Sequence, residues 1–228
     1  MELATPQFWV AALEIIVINI LLSGDNAVVI ALACRNLPTR QRRWGVFWGA
    51  IGAIVLRIAL TFFAISLLAF PFLKLVGGLL LLYIGVKLIV DEDEEGPKIA
   101  ASERMLSAIR TVIIADLVMS LDNVLAVAAA ARGSLLLLVF GLVVSIPLVI
   151  VGAQLIMRLI DRFPVLVVAG GGLLGYVAGE MIVEDSGIYP WIAPYRDWLH
   201  WVVPILGILL VVGVAKWLEQ RQRRAPAS

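Results

Sequence analysis

Seven apolar runs, at roughly residues 8–33, 44–69, 72–90, 107–131, 134–158, 163–183 and 200–218, leave this chain little room to fold as anything but a membrane protein. A bilayer core takes about 20 mostly apolar residues as a helix. Only a helix or a closed barrel satisfies its own backbone polar groups where water is absent. Hydrophobic residues fill 62% of the 228 positions, charged ones only 15%, and mean hydropathy is +1.01. A soluble domain is far more polar. The expected fold is all-α and polytopic, seven transmembrane helices with the lipid bilayer as partner. The opening MELATPQFW lacks a basic stretch, so the first run is expected to remain as a helix and not to be cleaved as a signal peptide.

Basic residues stay on the cytoplasmic side of a membrane. Arg35, Arg40, Arg42 and Arg43 follow the first run, and Lys98, Arg104 and Arg110 follow the third. Arg158 and Arg162 follow the fifth, and Lys216, Arg221, Arg223 and Arg224 the last. These segments alternate along the chain and therefore share one side, whereas the other side holds only Arg132 and Arg196 clearly in loops. The N-terminus is expected outside and the C-terminus in the cytoplasm.

The sequence also repeats itself. Asn19, Ser23, Asp25 and Asn26 correspond to Asp116, Ser120, Asp122 and Asn123 at a constant offset of 97 residues. FPFLKLVGGLLLLY, from Phe70, matches FPVLVVAGGGLLGY, from Phe163, at an offset of 93. The expected organisation is a three-helix repeat over 1–92, a cytoplasmic linker over 93–106 and a second repeat over 107–186. A seventh helix and basic tail complete it over 187–228. Three is odd, so the second copy enters the membrane from the opposite side. Inverted repeats of this kind are a secondary-transporter architecture, with the site near the midplane.

Asp25, Asp116 and Asp122 are expected near that midplane, where an acid costs at least about 2.5 kcal/mol and faces a partner or cavity. Asp116, Ser120 and Asn123 share one helical face, as do Asn19, Ser23 and Asn26. Asp25 and Asp122 lie about 100° from the neighbouring Asn on a regular helix. Each therefore addresses another neighbour, or the helix is distorted there; Gly24 eases distortion in the first copy, and Leu121 offers no such help in the second. Ser23 and Ser120 read best as interhelical hydrogen-bonding groups. Arg57 is placed to neutralise one acid or to pair with Glu14, and Glu14, Asn19 and Glu180 are further candidates for an ion pathway.

One arginine does not balance three acids, which leaves room for a metal ion, protons, or both. Carboxylate, amide and hydroxyl oxygens suit Mg²⁺, Ca²⁺ or Mn²⁺. One cysteine, Cys34, and one histidine, His200, cannot make a usual zinc or copper site. No hydrolase triad, zinc-protease motif or phosphate loop is present, so an enzyme is not expected and no resident cofactor is implied. The acidic run Asp91–Glu95 reads as a solvated linker, and the basic tail reads as topogenic, with no nucleic-acid partner. A homo-oligomer is compatible with all of this.

The paired Asp–Asn motifs, set in register repeats with matching FP…GG…Y segments, resemble the TerC family of integral membrane proteins over essentially the whole chain. The layout is most similar to its YjbE-type branch, within the LysE-like transporter superfamily. The resemblance implies manganese efflux, with Asp25, Asn26, Asp122 and Asn123 matching the family's acidic membrane motifs and Asp116 joining them. The expected activity is export of a divalent metal, foremost Mn²⁺, with protons as the coupling ion. The alternatives are a LysE-like exporter of a small organic cation or amino acid, and a membrane factor delivering Mn²⁺ to secreted proteins.

Overall fold

The computed structural model describes residues 6–21, 24–68, 70–90, 101–131 and 133–224. Among them are nine α-helices and no strand. These are α1 (Pro6–Leu21), α2 (Gly24–Cys34), α3 (Thr39–Leu68), α4 (Leu73–Val90), α5 (Ala101–Ala131), α6 (Leu135–Arg162), α7 (Val165–Val183), α8 (Tyr189–Ile192) and α9 (Arg196–Arg224). Five helices are long and apolar enough to cross a membrane, and α5 makes six if its two bent parts count as one span. Within the first expected span the structure describes two shorter apolar helices, α1 and α2, and residues 22 and 23 between them lie outside the described residues.

Helix ends differ from the apolar runs for a simple reason. Hydropathy marks what favours lipid, whereas a helix continues for as long as its backbone hydrogen bonds do. Thus α5 begins at Ala101 inside the expected 93–106 linker, because Ser102–Leu106 contains good helix formers. Likewise α9 extends to Arg224, beyond the apolar limit near residue 218. The helix α2 opens with Gly24–Asp25–Asn26, residue types that favour helix ends over interiors. The counterpart in α5 bends by 70° between Ser102–Leu121 and Asn123–Ala131, without a glycine's help. The acidic run Asp91–Glu95 lies outside the described residues.

The chain forms two compact units, each drawing on both halves of the sequence. One comprises residues 1–69 and 101–158, with α3 packed along α5 and with α1 and α2 also against α5. Its core joins Phe8, Ile15, Ile54, Val127, Leu137 and Leu142. The turn from α5 to α6 uses Gly133 at φ 74°, a conformation only glycine adopts freely. Ser134 then caps α6 by accepting the Leu137 N–H at 3.3 Å.

The other unit comprises 70–100 and 159–228, in which α4, α7 and α9 pack against one another. The contacts are backbone against backbone. A Cβ on Gly175 would meet the carbonyl of Gly207, one on Gly179 would meet Pro204, and one on Gly78 would lie 2.8 Å from the Ala178 carbonyl. These glycines are therefore packing surfaces, as small residues are between membrane helices.

A carboxylate locks the start of α4. Asp185, 1% exposed, accepts the backbone N–H groups of Phe72 at 3.0 Å, Leu75 at 3.1 Å and Gly187 at 2.7 Å. It caps a helix distant in sequence and places negative charge at its positive end. It also holds Phe72 at φ 65°, where a side chain is strained.

Gly175→Ala should therefore lower stability by about 1–3 kcal/mol through overpacking. Gly213→Ala, with nothing within 4 Å of its added Cβ, should be close to neutral. Thermal unfolding in detergent distinguishes the two. Asp185→Ala leaves three backbone donors unpartnered and should cost on the order of 3 kcal/mol in the same assay.

Candidate functional site

The polar centre of the first unit is built on α3 and α5. Asp116 and Ser120 are one turn apart and so share a face of α5. Arg57 reaches them from α3. Its Nη2 lies 2.6 Å from Asp116 Oδ1, and its Nε donates to Ser120 Oγ at 2.9 Å. Ser120 in turn donates to Asp116 Oδ2 at 3.1 Å, which closes a ring of three side chains. Arg57 is 2% exposed, Asp116 5% and Ser120 0%.

Desolvating two charges costs several kcal/mol per ion, repaid only with good geometry and further hydrogen bonds. This group has both. The guanidinium fork engages two acceptors at once, which an ammonium cannot do in the same way. Asp116 is thus one of the acids foreseen as a partner for Arg57. Ser120 is the interhelical hydrogen-bonding group expected of it.

Asp25 sits in the first turn of α2, which packs against both α3 and α5. The positive end of the helix favours its negative charge. Its Oδ1 accepts the backbone N–H of Asn26 at 2.8 Å, and it lies near enough to Arg57 and Asp116 for their charges to act on it. The side chain is only partly buried. Asn26 differs: it is 3% exposed, and neither its Oδ1 nor its Nδ2 has a hydrogen-bond partner. A buried polar group left unmet costs about 1–3 kcal/mol.

The remaining candidates are dispersed or undescribed. Asn123 is half-buried just past the bend in α5, and Glu14 is exposed on α1. Glu180 is half-buried on α7 and belongs to the other unit. Ser23 and the side chains of Asn19 and Asp122 lie outside the described residues. Among the described residues no three of His, Cys, Asp and Glu converge as a metal cluster. Among the described residues, both oxygens of Asp116 are engaged by Arg57 and Ser120, whereas the Asn26 oxygen has no hydrogen-bond partner.

Asp185 is a buried acid that sequence reasoning did not single out. The following Ser-Gly marks a turn, but its partners Phe72 and Leu75 lie at least 110 residues away. No local signal identifies them.

Buried charge within long apolar helices defines a multi-pass integral membrane protein of all-α architecture. The sequence profile described as "Integral membrane protein TerC family" matches residues 4–223, and the chain belongs to that family. It is 41% identical to the membrane protein YjbE of Bacillus subtilis, over 95% of this chain and 99% of that one. YceF of the same organism is 25% identical over 99% of this chain and 90% of its own length. The inner membrane protein YgdQ of Escherichia coli is 27% identical, over 81% and 84% respectively. No solved structure matches.

The Arg57–Asp116 pair yields a direct test. Arg57→Met or Asp116→Leu alone strands a buried charge and should cost about 3–5 kcal/mol, whereas the double variant should recover much of the loss. Unfolding of the three variants in one detergent reads the coupling.

Proposed function

We propose that this protein is a seven-helix secondary transporter that exports divalent metal, foremost Mn²⁺, by exchange with protons. In this reading α1 and α2 form the first of the seven spans, and helices one to three repeat inverted as four to six. The N-terminus is outside and the C-terminus cytoplasmic, which puts the arginines after α2 and the basic ends of α6 and α9 on the inner side. The makeup of the two compact units supports the repeat: corresponding members of both copies, α4 and α7 among them, fall in the same unit.

The observation that carries the reading is Asn26. Its amide is buried with both polar atoms unmet, beside Asp25 in the first turn of α2. A cation taking the Asn26 oxygen and the Asp25 carboxylate would relieve the part of that cost that the oxygen carries. Amide and carboxylate oxygens suit Mn²⁺ or Mg²⁺ and not a thiolate-preferring ion. Broken helices also free backbone carbonyls that serve transporters as ion ligands.

Arg57 gives the site its charge balance. By neutralising Asp116 it leaves Asp25, with Asp122 of the second motif, as the acids whose charge a divalent ion or protons can balance. Export of a divalent ion against a negative interior costs about 4.6 kcal/mol per 100 mV, since each charge costs about 2.3. Inward protons, carried on the same carboxylates, supply a source for that work.

The test is Mn²⁺ flux in proteoliposomes containing only this protein, with an imposed proton gradient. Wild type should move Mn²⁺ in proportion to the gradient. Asp25→Asn and Asp122→Asn, which keep side-chain size, should each lower flux at least about tenfold, the effect of losing about 1.4 kcal/mol of site interaction. Folded, oriented wild-type protein that moves no Mn²⁺ would overturn the exporter reading and favour a metal-delivery factor.

A further inference from the structure

We propose that the groove between α7 and α9 holds an acyl chain of an anionic phospholipid whose head group rests on Lys216 and Arg162. The groove has a volume of about 670 Å³ and runs along α7 from Val165 to Tyr176, with Ile208 and Val212 as its wall on α9. It exists because α7 presents Ala169 and Gly172 where larger residues would fill the space. A Cβ on Gly172 would approach the methyl carbons of Ile208 at 3.4 Å and Val212 at 3.7 Å.

Length points to a lipid tail. Val165 to Tyr176 covers about 16 Å at the helical rise, about half of a hydrocarbon core roughly 30 Å thick. The groove therefore spans one leaflet. Its lining is apolar, and a gap left empty there would forfeit dispersion contacts along its whole wall.

Charge selects the head group. Ile208, Val212 and Lys216 follow one another at i, i+4 and i+8, so Lys216 continues the groove wall by one turn and is exposed. Arg162, also exposed, precedes α7 at that end, with its guanidinium 5.6 Å from the Phe163 ring centroid. Arg221 stacks over Trp217 at 5.4 Å on the same end of α9. Asp161 and Glu219 are the described acids nearby, fewer than the bases. The far end, past Tyr176, instead carries Glu180. An anionic head group thus fits the Lys216 end and is repelled at the other, and basic pockets between membrane helices bind such head groups.

Native mass spectrometry of the intact protein from micelles with equal phosphatidylglycerol and phosphatidylcholine, matched in acyl chains, tests the site. Wild type should retain phosphatidylglycerol in excess. Lys216→Ala and Arg162→Ala should each reduce that preference about fivefold, the worth of one basic residue near a head group. Arg196→Ala, at the opposite end of α9, should leave it unchanged. Ala169→Leu, which fills the groove from an exposed position, should lower retention of both lipids, with the milder Ala169→Val as the second filling variant should the first fail to fold. Equal retention of the two lipids by wild type, or a loss in Arg196→Ala matching that in Lys216→Ala, would overturn the proposal. So would a dimer that Ala169→Leu or Ala169→Val dissociates, since the groove would then seat a second copy.

Discussion

An arginine and an aspartate facing each other between two membrane helices constrain the first unit more than any apolar contact does. In a medium of low dielectric neither charge is tolerable alone, and the attraction between them is correspondingly strong. Arg57 and Asp116 therefore fix the rotation and depth of α3 against α5, with Ser120 completing the hydrogen bonding. Apolar packing alone would let those helices slide, because lipid tails are as hospitable to leucine as a neighbouring helix is. The pair turns a weakly specific contact into one with a single register.

That neutralised pair also sets the environment of α2. Asp25 lies within reach of both charges, at the positive end of a short helix, and Asn26 is buried beside it with unmet polar atoms. A fold meant only to be stable would place neither residue there. The local cost is sustained because the Arg57 group and the aliphatic core around Phe8, Ile15 and Leu142 hold the surrounding helices in place.

The second unit is held by different physics. It brings α4, α7 and α9 together through glycines, so that backbones touch where side chains elsewhere would intervene. Close approach adds dispersion contacts and weak backbone interactions, with little side-chain entropy lost. Its main charged element, Asp185, is bonded entirely to backbone donors and ends the unit's polar requirements at the turn before α4. One unit thus concentrates buried side-chain polarity and the other minimises it.

The sequence by itself determined that the chain is all-α and membrane-embedded, because hydropathy and helix length are summed over many residues and survive local error. It also identified the Asp–Asn motifs, since a polar residue in lipid is conspicuous without knowing its partner. Only the tertiary structure decided which partners those residues have. That Arg57 meets Asp116 follows from how α3 lies along α5. The bend in α5 depends on neighbours that stabilise a distorted helix, and hydropathy averages over it. Asp185 escaped notice for the same reason: its role is defined by backbone groups more than a hundred residues away, and proximity of that kind arises only on folding.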